Sequence, residues 1–328
     1  MIFSSYNVSD IVLIAAMALL VNLLLGSPRL LWRPLLFLHP LEIWRKLAEW
    51  LGGKLNRYRR SDQTRHMRGG WLVFLTILAS LLLGYALAEI FLLAGGLPEV
   101  MVLALFLSAR QPFDDMAEVE KLLATAPQTV SSKILPSSLV RRQLSEYDHP
   151  TVIRGIIEML GVSMAERVIA PLFYYIIAGW QGVLLVSLVR VLDAIYGYRN
   201  AQYEDFGAIS AKTHTLLQII PARIAGLLIV FASFFAPACS GGNAWQVLRT
   251  QAQRVNSLNA GWPIAAMAGA LGVMLGGPRA LYGSFIADQW VGTGSAQLTT
   301  RHSQAARWLY LIAQYVCFML LLLAGLLW

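Results

Sequence analysis

Polar and charged side chains interrupt the apolar stretches of this sequence at four places, and these are the positions where chemistry can be done. The first is Leu192-Asp193, followed by Gly197-Tyr198-Arg199-Asn200 and Tyr203. A carboxylate at the end of a membrane-like segment is costly unless it is paired, hydrated or in use. Asp193 suits either a phosphate- or metal-directed site or a structural ion pair with Arg190, three residues earlier. The second is Pro221-Ala222-Arg223, where the chain re-enters an apolar run. A guidinium there can hold phosphate or carboxylate through two hydrogen bonds, or simply snorkel to the interface. The third runs from Asn259-Ala260-Gly261-Trp262-Pro263 through Met267–Gly272 to Gly276-Gly277-Pro278. Glycines this dense either let backbone N–H groups form an anion nest or let helices pack closely. The fourth holds Glu158, a candidate general base or metal ligand, and Glu166-Arg167, which reads as a solvated pair.

The compact catalytic motifs are absent: there is no Walker lysine loop, no HExxH and no GxSxG. The five histidines show no ligand spacing, and Cys239 and Cys317 stand far apart beside or within apolar runs. Any nucleotide or metal site must therefore be built by groups that the fold brings together. Glu158, Asp193, Arg199, Arg223 and Asn259 are expected to face one polar pocket, because each lies at the margin of a different apolar segment.

The elements that must position them are membrane helices. Of 328 residues, 57% are hydrophobic and 13% charged, about half the charge of a soluble domain. Lipid is the solvent that this composition fits. Asp10–Gly26 is an uncleaved first span, since no Lys or Arg precedes its apolar run. Trp71–Leu93 is a second and Trp308–Trp328 the last, with Pro98–Ala109, Pro221–Phe235 and the Gly/Ala-rich stretch Gly261–Gly277 as shorter apolar segments. Val168–Leu192 is interrupted at Gly179-Trp180-Gln181-Gly182, which predicts a broken or re-entrant helical hairpin. Residues 110–167 form a polar insert of short helices and loops, rich in Ser, Thr and Pro over 127–138. The fold class is thus all-α, a single polytopic helical membrane domain with broken or re-entrant helices and a cytoplasmic helical insert.

The net charge of +8 is of the kind that cytoplasmic loops carry, and no aromatic-basic interleaving points to nucleic acid. The excess of Arg and Lys over residues 29–68 places that loop inside and the N-terminus outside. Within it, Leu41–Leu51 sets Trp44, Leu47 and Leu51 on one face, the pattern of a helix lying at the bilayer surface.

Taken in order, these stretches resemble the CobD/CbiB family, the adenosylcobinamide-phosphate synthases of cobalamin biosynthesis. The matching residues are Ala170-Pro171-Leu172-Phe173, Leu192-Asp193, Gly197-Tyr198-Arg199-Asn200 with Tyr203, Pro221-Ala222-Arg223, Asn259–Pro263 and Gly276-Gly277-Pro278; Leu23–Gly26 with Pro28, and His39-Pro40, look like altered forms of the opening motif. The resemblance covers nearly the whole chain and is strongest from about 157 to 290. It implies a multi-pass bacterial inner-membrane enzyme. Such an enzyme joins aminopropanol, free or as its phosphate, to adenosylcobyric acid in an amide bond, using ATP and magnesium. By position the resemblance implies that Asp193 holds the metal, that Arg199 and Arg223 hold phosphate or propionate, and that Glu158 is the base. Tyr198, Asn200, Tyr203, Asn259, Trp262, Gly277 and Pro278 would line the substrate site. The implied partners are the lipid bilayer, a corrinoid and a small phosphorylated amine, with self-association left open. Several family acids are replaced here: the positions read Val162, His214-Thr215 and Ile264. That pattern also fits a sensor or signalling relative of the AmpE kind, which binds a ligand without ligase chemistry.

Overall fold

The computed structural model describes residues 7–26, 39–57, 60–125, 149–197, 202–281 and 284–328, with the backbone alone at 279–281 and 284–288. Pro28 and the Ser/Thr/Pro-rich stretch 127–138 lie outside these residues. The helices are α1 (Val8–Leu25), α2 (Pro40–Leu55), α3 (Asp62–Ala94), α4 (Gly96–Phe106), α5 (Gln111–Thr125) and α6 (His149–Ser163). A π turn, Met164–Ile169, leads into α7 (Ala170–Tyr196), followed by α8 (Glu204–Leu217), α9 (Ile219–Ala232), α10 (Gly241–Gln251) and α11 (Gly261–Leu271). An antiparallel hairpin of β1 (Leu275–Leu281) and β2 (Ser284–Val291) precedes α12 (Thr300–Leu327). Among the described residues four helical segments are long and apolar enough to cross a bilayer, or five if the bent pair α8 and α9 counts as one. The chain is an all-α polytopic membrane protein. Among the described residues the hairpin is the one pair of strands, where the sequence pattern suggested a weak apolar segment continuing to Gly277.

The chain divides into two compact units. The first holds Met1–Ser108, Ala170–Gln218 and Leu321–Trp328. Its axis is α3, whose 33 residues extend about 50 Å, against roughly 30 Å of hydrocarbon. Its polar first turns, capped by Ser61, therefore reach beyond the apolar layer. Thr76 and Ser80 return their hydroxyl hydrogens to the carbonyls of Leu72 and Thr76, which satisfies both inside the helix. Gly69 and Gly84 let α3 touch the backbones of Phe206 and Gln181, where a Cβ would collide. The core gathers Ala48, Leu72, Val73, Leu192, Tyr196 and Phe206, with Trp44, Leu51 and Leu55 packed on it.

That packing corrects the expected surface face of α2. Trp44 and Leu51 point into the protein, and the Trp44 indole donates to the Leu188 carbonyl at 3.2 Å; only Leu47 of the three is exposed. The helix is started by His39, whose Nδ1 accepts from Leu41 N at 3.3 Å while Nε2 lies 3.1 Å from the Leu105 carbonyl. This pairing requires the neutral ring with its hydrogen on Nε2. Burial is the main reason that the His39 pKa falls below its ordinary value, with Arg190 adding to the fall and the Leu105 carbonyl and Glu42 opposing it. The unfolded chain thus binds the proton more readily, and stability must decline as pH drops through about 6.5, the unfolded value. We expect the thermal midpoint of the detergent-solubilised protein to fall over that window. His39→Asn, which keeps a capping side chain but does not titrate there, should flatten the fall; an unchanged slope would remove His39 as its source.

The break predicted near Gly179 is present. Gly179 has φ 58° and ψ −145°, outside the helical region. Residues eight apart in a straight helix lie about 12 Å apart, yet a Cβ on Gly182 would strike the Tyr174 carbonyl. The chain doubles back at this point, which splits the 48-residue run His149–Tyr196.

The second unit holds Ala109–Ile169 and Ile219–Leu320. Helix α11 is buried along its length from Pro263 to Leu271. A Cβ on Gly269 would come within 2.7 Å of Ala244 Cα, and Asn243 Nδ2 donates to the Gly269 carbonyl at 2.6 Å. The small residues therefore serve close helix packing, one of the two readings left open by sequence. Of the helices of the 110–167 insert, α5 is tied to α12 by Glu120, which meets Arg307 at 3.3 Å and accepts from Ser303 at 2.8 Å. Helix α6 buries Val152, Ile153, Ile156, Ile157 and Leu160. The π turn that follows ends two residues before Pro171, whose missing N–H removes one helical hydrogen bond.

Candidate functional site

In the first unit the candidate group stands at the end of α7. His214 Nδ1, on α8, lies 3.1 Å from Asp193 Oδ2, with the carboxylate side chain 29% exposed. Sequence reasoning named Arg190 as the neutralising partner and noted His214 only as a replaced acid. Just beyond, Gly197 donates its N–H to the Asp193 carbonyl at 2.8 Å. A Cβ at Gly197 would collide with Asp193 Oδ1, so the side chain is held between a glycine and an imidazole.

Tyr198, Arg199 and Asn200 lie outside the described residues. The chain resumes at Gln202, whose carbonyl accepts from Arg65 at 2.6 Å and from Asn56 at 2.9 Å. Arg65 is buried and also meets Asp205 at 3.6 Å; it counted in the sequence only as one more cation of a basic loop. Tyr203 packs its ring against Tyr196 at 5.7 Å and accepts a hydrogen bond from Gln202.

The second unit holds Glu158, Arg223, Asn259, Trp262, Gly277 and Pro278. It brings Arg223 and Trp262 together: the guanidinium lies 4.9 Å from the indole centre, and one of its nitrogens donates to the Ile219 carbonyl at 2.5 Å. Stacking holds the planar cation in a fixed orientation, the condition for two-point recognition of an oxyanion. Asn259 is half-buried in the turn that starts α11, and its carbonyl accepts from Trp262 N at 3.2 Å.

Glu158 is 1% exposed, and its Oε1 accepts from Gly276 N at 2.8 Å. Gly276 and Gly277 have φ of 72° and 78°, a region that side chains disfavour. The strand register slips between Gly276 and Pro278, and Trp290 covers Gly277 so closely that a Cβ would come within 2.7 Å of the indole. Arg154 stacks on the same indole at 4.6 Å. Gly277 is buried and Pro278 exposed. Glu158 therefore braces a bulged turn. Glu158→Gln keeps an acceptor for Gly276 N, whereas Glu158→Ala leaves that N–H buried and unmet, at about 1–3 kcal/mol. Hydrogen exchange at Gly276 should stay slow in the first variant and quicken in the second. Fast exchange in both would show that charge, not the acceptor, holds the turn.

Sequence reasoning passed over Glu99, in the first unit. It is 3% exposed within α4, and its Oε1 accepts from Tyr175 at 2.7 Å and from the Trp180 indole at 2.8 Å. A lone acid inside the apolar stretch Pro98–Ala109 was the available signal.

Among the described residues no three His, Cys, Asp or Glu side chains converge in a metal-binding group. Magnesium commonly takes one or two protein carboxylates and completes its shell with water and substrate phosphates. A part-exposed single carboxylate such as Asp193 fits a magnesium ion that arrives with a polyphosphate, and does not fit an all-protein cage.

The family described as CobD/Cbib protein matches residues 15–310. The protein named "Cobalamin biosynthesis protein CobD" from Rhizobium meliloti (strain 1021) is 32% identical over 285 residues, 86% of each chain. Those of the same name from Geobacter metallireducens and Rhodobacter capsulatus are each 33% identical, over 281 residues (84% of each chain) and 277 residues (82% of each chain). No solved structure matches the chain.

Proposed function

Because the chain belongs to the CobD/Cbib protein family, we propose that it performs the amide-forming step of cobalamin biosynthesis, joining aminopropanol or its phosphate to adenosylcobyric acid at the cost of ATP. The observation that carries this reading is the match over residues 15–310, within which Asp193, Arg223, Asn259 and Trp262 all stand. In the simplest balanced route the corrinoid carboxylate takes the terminal phosphoryl group of ATP and releases ADP. The amine then attacks the acyl carbon, phosphate leaves, and one proton is lost. Arg223, oriented by Trp262, suits the anionic oxygens of phosphate or carboxylate. Asp193 would hold magnesium, which when bound neutralises phosphate charge. Glu158, whose Oε1 accepts from Gly276 N beside the Gly276–Pro278 turn, would serve as the base that takes the amine proton.

Purified protein given adenosylcobyric acid, aminopropanol phosphate, ATP and magnesium should form the amide and release ADP. Absence of product together with tight binding of the corrinoid would reject the ligase and favour a sensor. We propose a bacterial inner-membrane location with the basic segment before α3 in the cytoplasm, on the strength of that segment's positive charge. A Ser61→Cys variant should react with an impermeant reagent only after the cells are opened.

A further inference from the structure

We infer that α2 is a docking helix for anionic phospholipid at the leaflet surface, through a face that differs from the one the sequence pattern suggested. One side of α2, with Leu41, Trp44, Ala48 and Leu51, is committed to the protein core. The flank next to it carries Ile43, Leu47 and Trp50, exposed by 47%, 43% and 55%. Their spacing of four and three residues, continued by Lys54 four further on, makes one stripe along the helix.

Charge identifies what covers that stripe. Arg45 is neutralised on the helix itself by Glu42 and Glu49. Lys54 and Arg57 have no acidic partner among the described residues. The Lys54 ammonium sits 3.8 Å above the Trp50 ring, and Arg57 is exposed in the turn after the helix. An indole and aliphatic side chains ending in two cations match the boundary between acyl chains and phosphate headgroups. Continuity agrees. The next helix, α3, turns Trp71, Phe74, Leu75 and Leu78 outward, so the basic end of α2 lies a short way along the chain from a helix that enters lipid. A soluble protein partner would instead need acidic groups facing the same stripe.

The full-length protein is tested in nanodiscs of phosphatidylcholine with or without phosphatidylglycerol. An environment-sensitive dye is attached at Leu47→Cys or, as a control on another face, at Glu49→Cys, with Cys239 and Cys317 replaced by alanine. The dye at 47 should be quenched by nitroxide-labelled lipid and shielded from aqueous iodide, and the dye at 49 should show the reverse. Phosphatidylglycerol should raise the thermal midpoint of the wild type, and Lys54→Gln with Arg57→Gln should lose most of that rise, as should high salt. Equal iodide quenching at 47 and 49 would overturn the proposal, as would a rise that survives both substitutions. Shielding at 47 from iodide without quenching by lipid would assign the stripe to a protein surface instead. The unlabelled Lys54 and Arg57 variants keep the test decisive if the cysteine variants fold poorly.

Discussion

Glu99→Ala should destabilise the protein by on the order of 4 kcal/mol, while Glu99→Gln should cost much less. The alanine variant strips two buried donors, the Tyr175 hydroxyl and the Trp180 indole, of the oxygen they share at 2.7 and 2.8 Å. Each buried unmet donor costs about 1–3 kcal/mol, and the vacated volume adds a cavity term. Glutamine keeps an oxygen where both donors point. The loss also bears on the broken helix. Trp180 follows the break at Gly179, is 2% exposed, and packs against Phe91 at 5.0 Å and Phe106 at 5.9 Å. Its hydrogen bond to Glu99 is thus a directional contact that helps to fix the start of the returning arm of α7. Thermal or denaturant unfolding in detergent measures both variants. An alanine variant as stable as the wild type would show that the indole and phenol find other acceptors.

Why Glu99 was missed, and Gly179 was not, follows from what each signal depends on. A glycine pair in the middle of an apolar run is a local cue, because backbone freedom shows at the residue itself. The same holds for the small residues of α11, and for the three uninterrupted apolar spans, whose length alone fits a bilayer. Glu99 declares itself only through Tyr175 and Trp180, more than 70 residues away (76 and 81). His214 is likewise visible as the partner of Asp193 only once α7 and α8 lie side by side. At the foot of the hairpin Glu158 meets Gly276 across 118 residues, a contact that no window of sequence contains. Helix α2 is present as expected, but its outward face was misassigned for a different reason. It is apolar on two sides, so periodicity identified an amphipathic helix but not which stripe, Trp44-Ala48-Leu51 or Ile43-Leu47-Trp50, meets the protein.

Asp193→Asn should lower kcat/KM for amide formation by several kcal/mol of transition-state stabilisation if the side chain holds magnesium against the polyphosphate. Asparagine keeps the size of aspartate, so the close fit beside Gly197 is preserved. It also keeps an oxygen for His214 Nδ1, now 3.1 Å from Oδ2. Only the charge is removed. The competing account is that Asp193 and His214 merely tether α7 to α8. A single part-exposed polar contact of that kind is worth about 1 kcal/mol or less, which would leave turnover within a few-fold of wild type. The two accounts therefore differ by orders of magnitude in rate, while both predict a nearly unchanged thermal midpoint. His214→Ala separates them further: it removes the tether but leaves the carboxylate, so it should retain far more activity than Asp193→Asn. Full turnover by Asp193→Asn would deny the carboxylate any part in the reaction and leave the pair as a link between two helices.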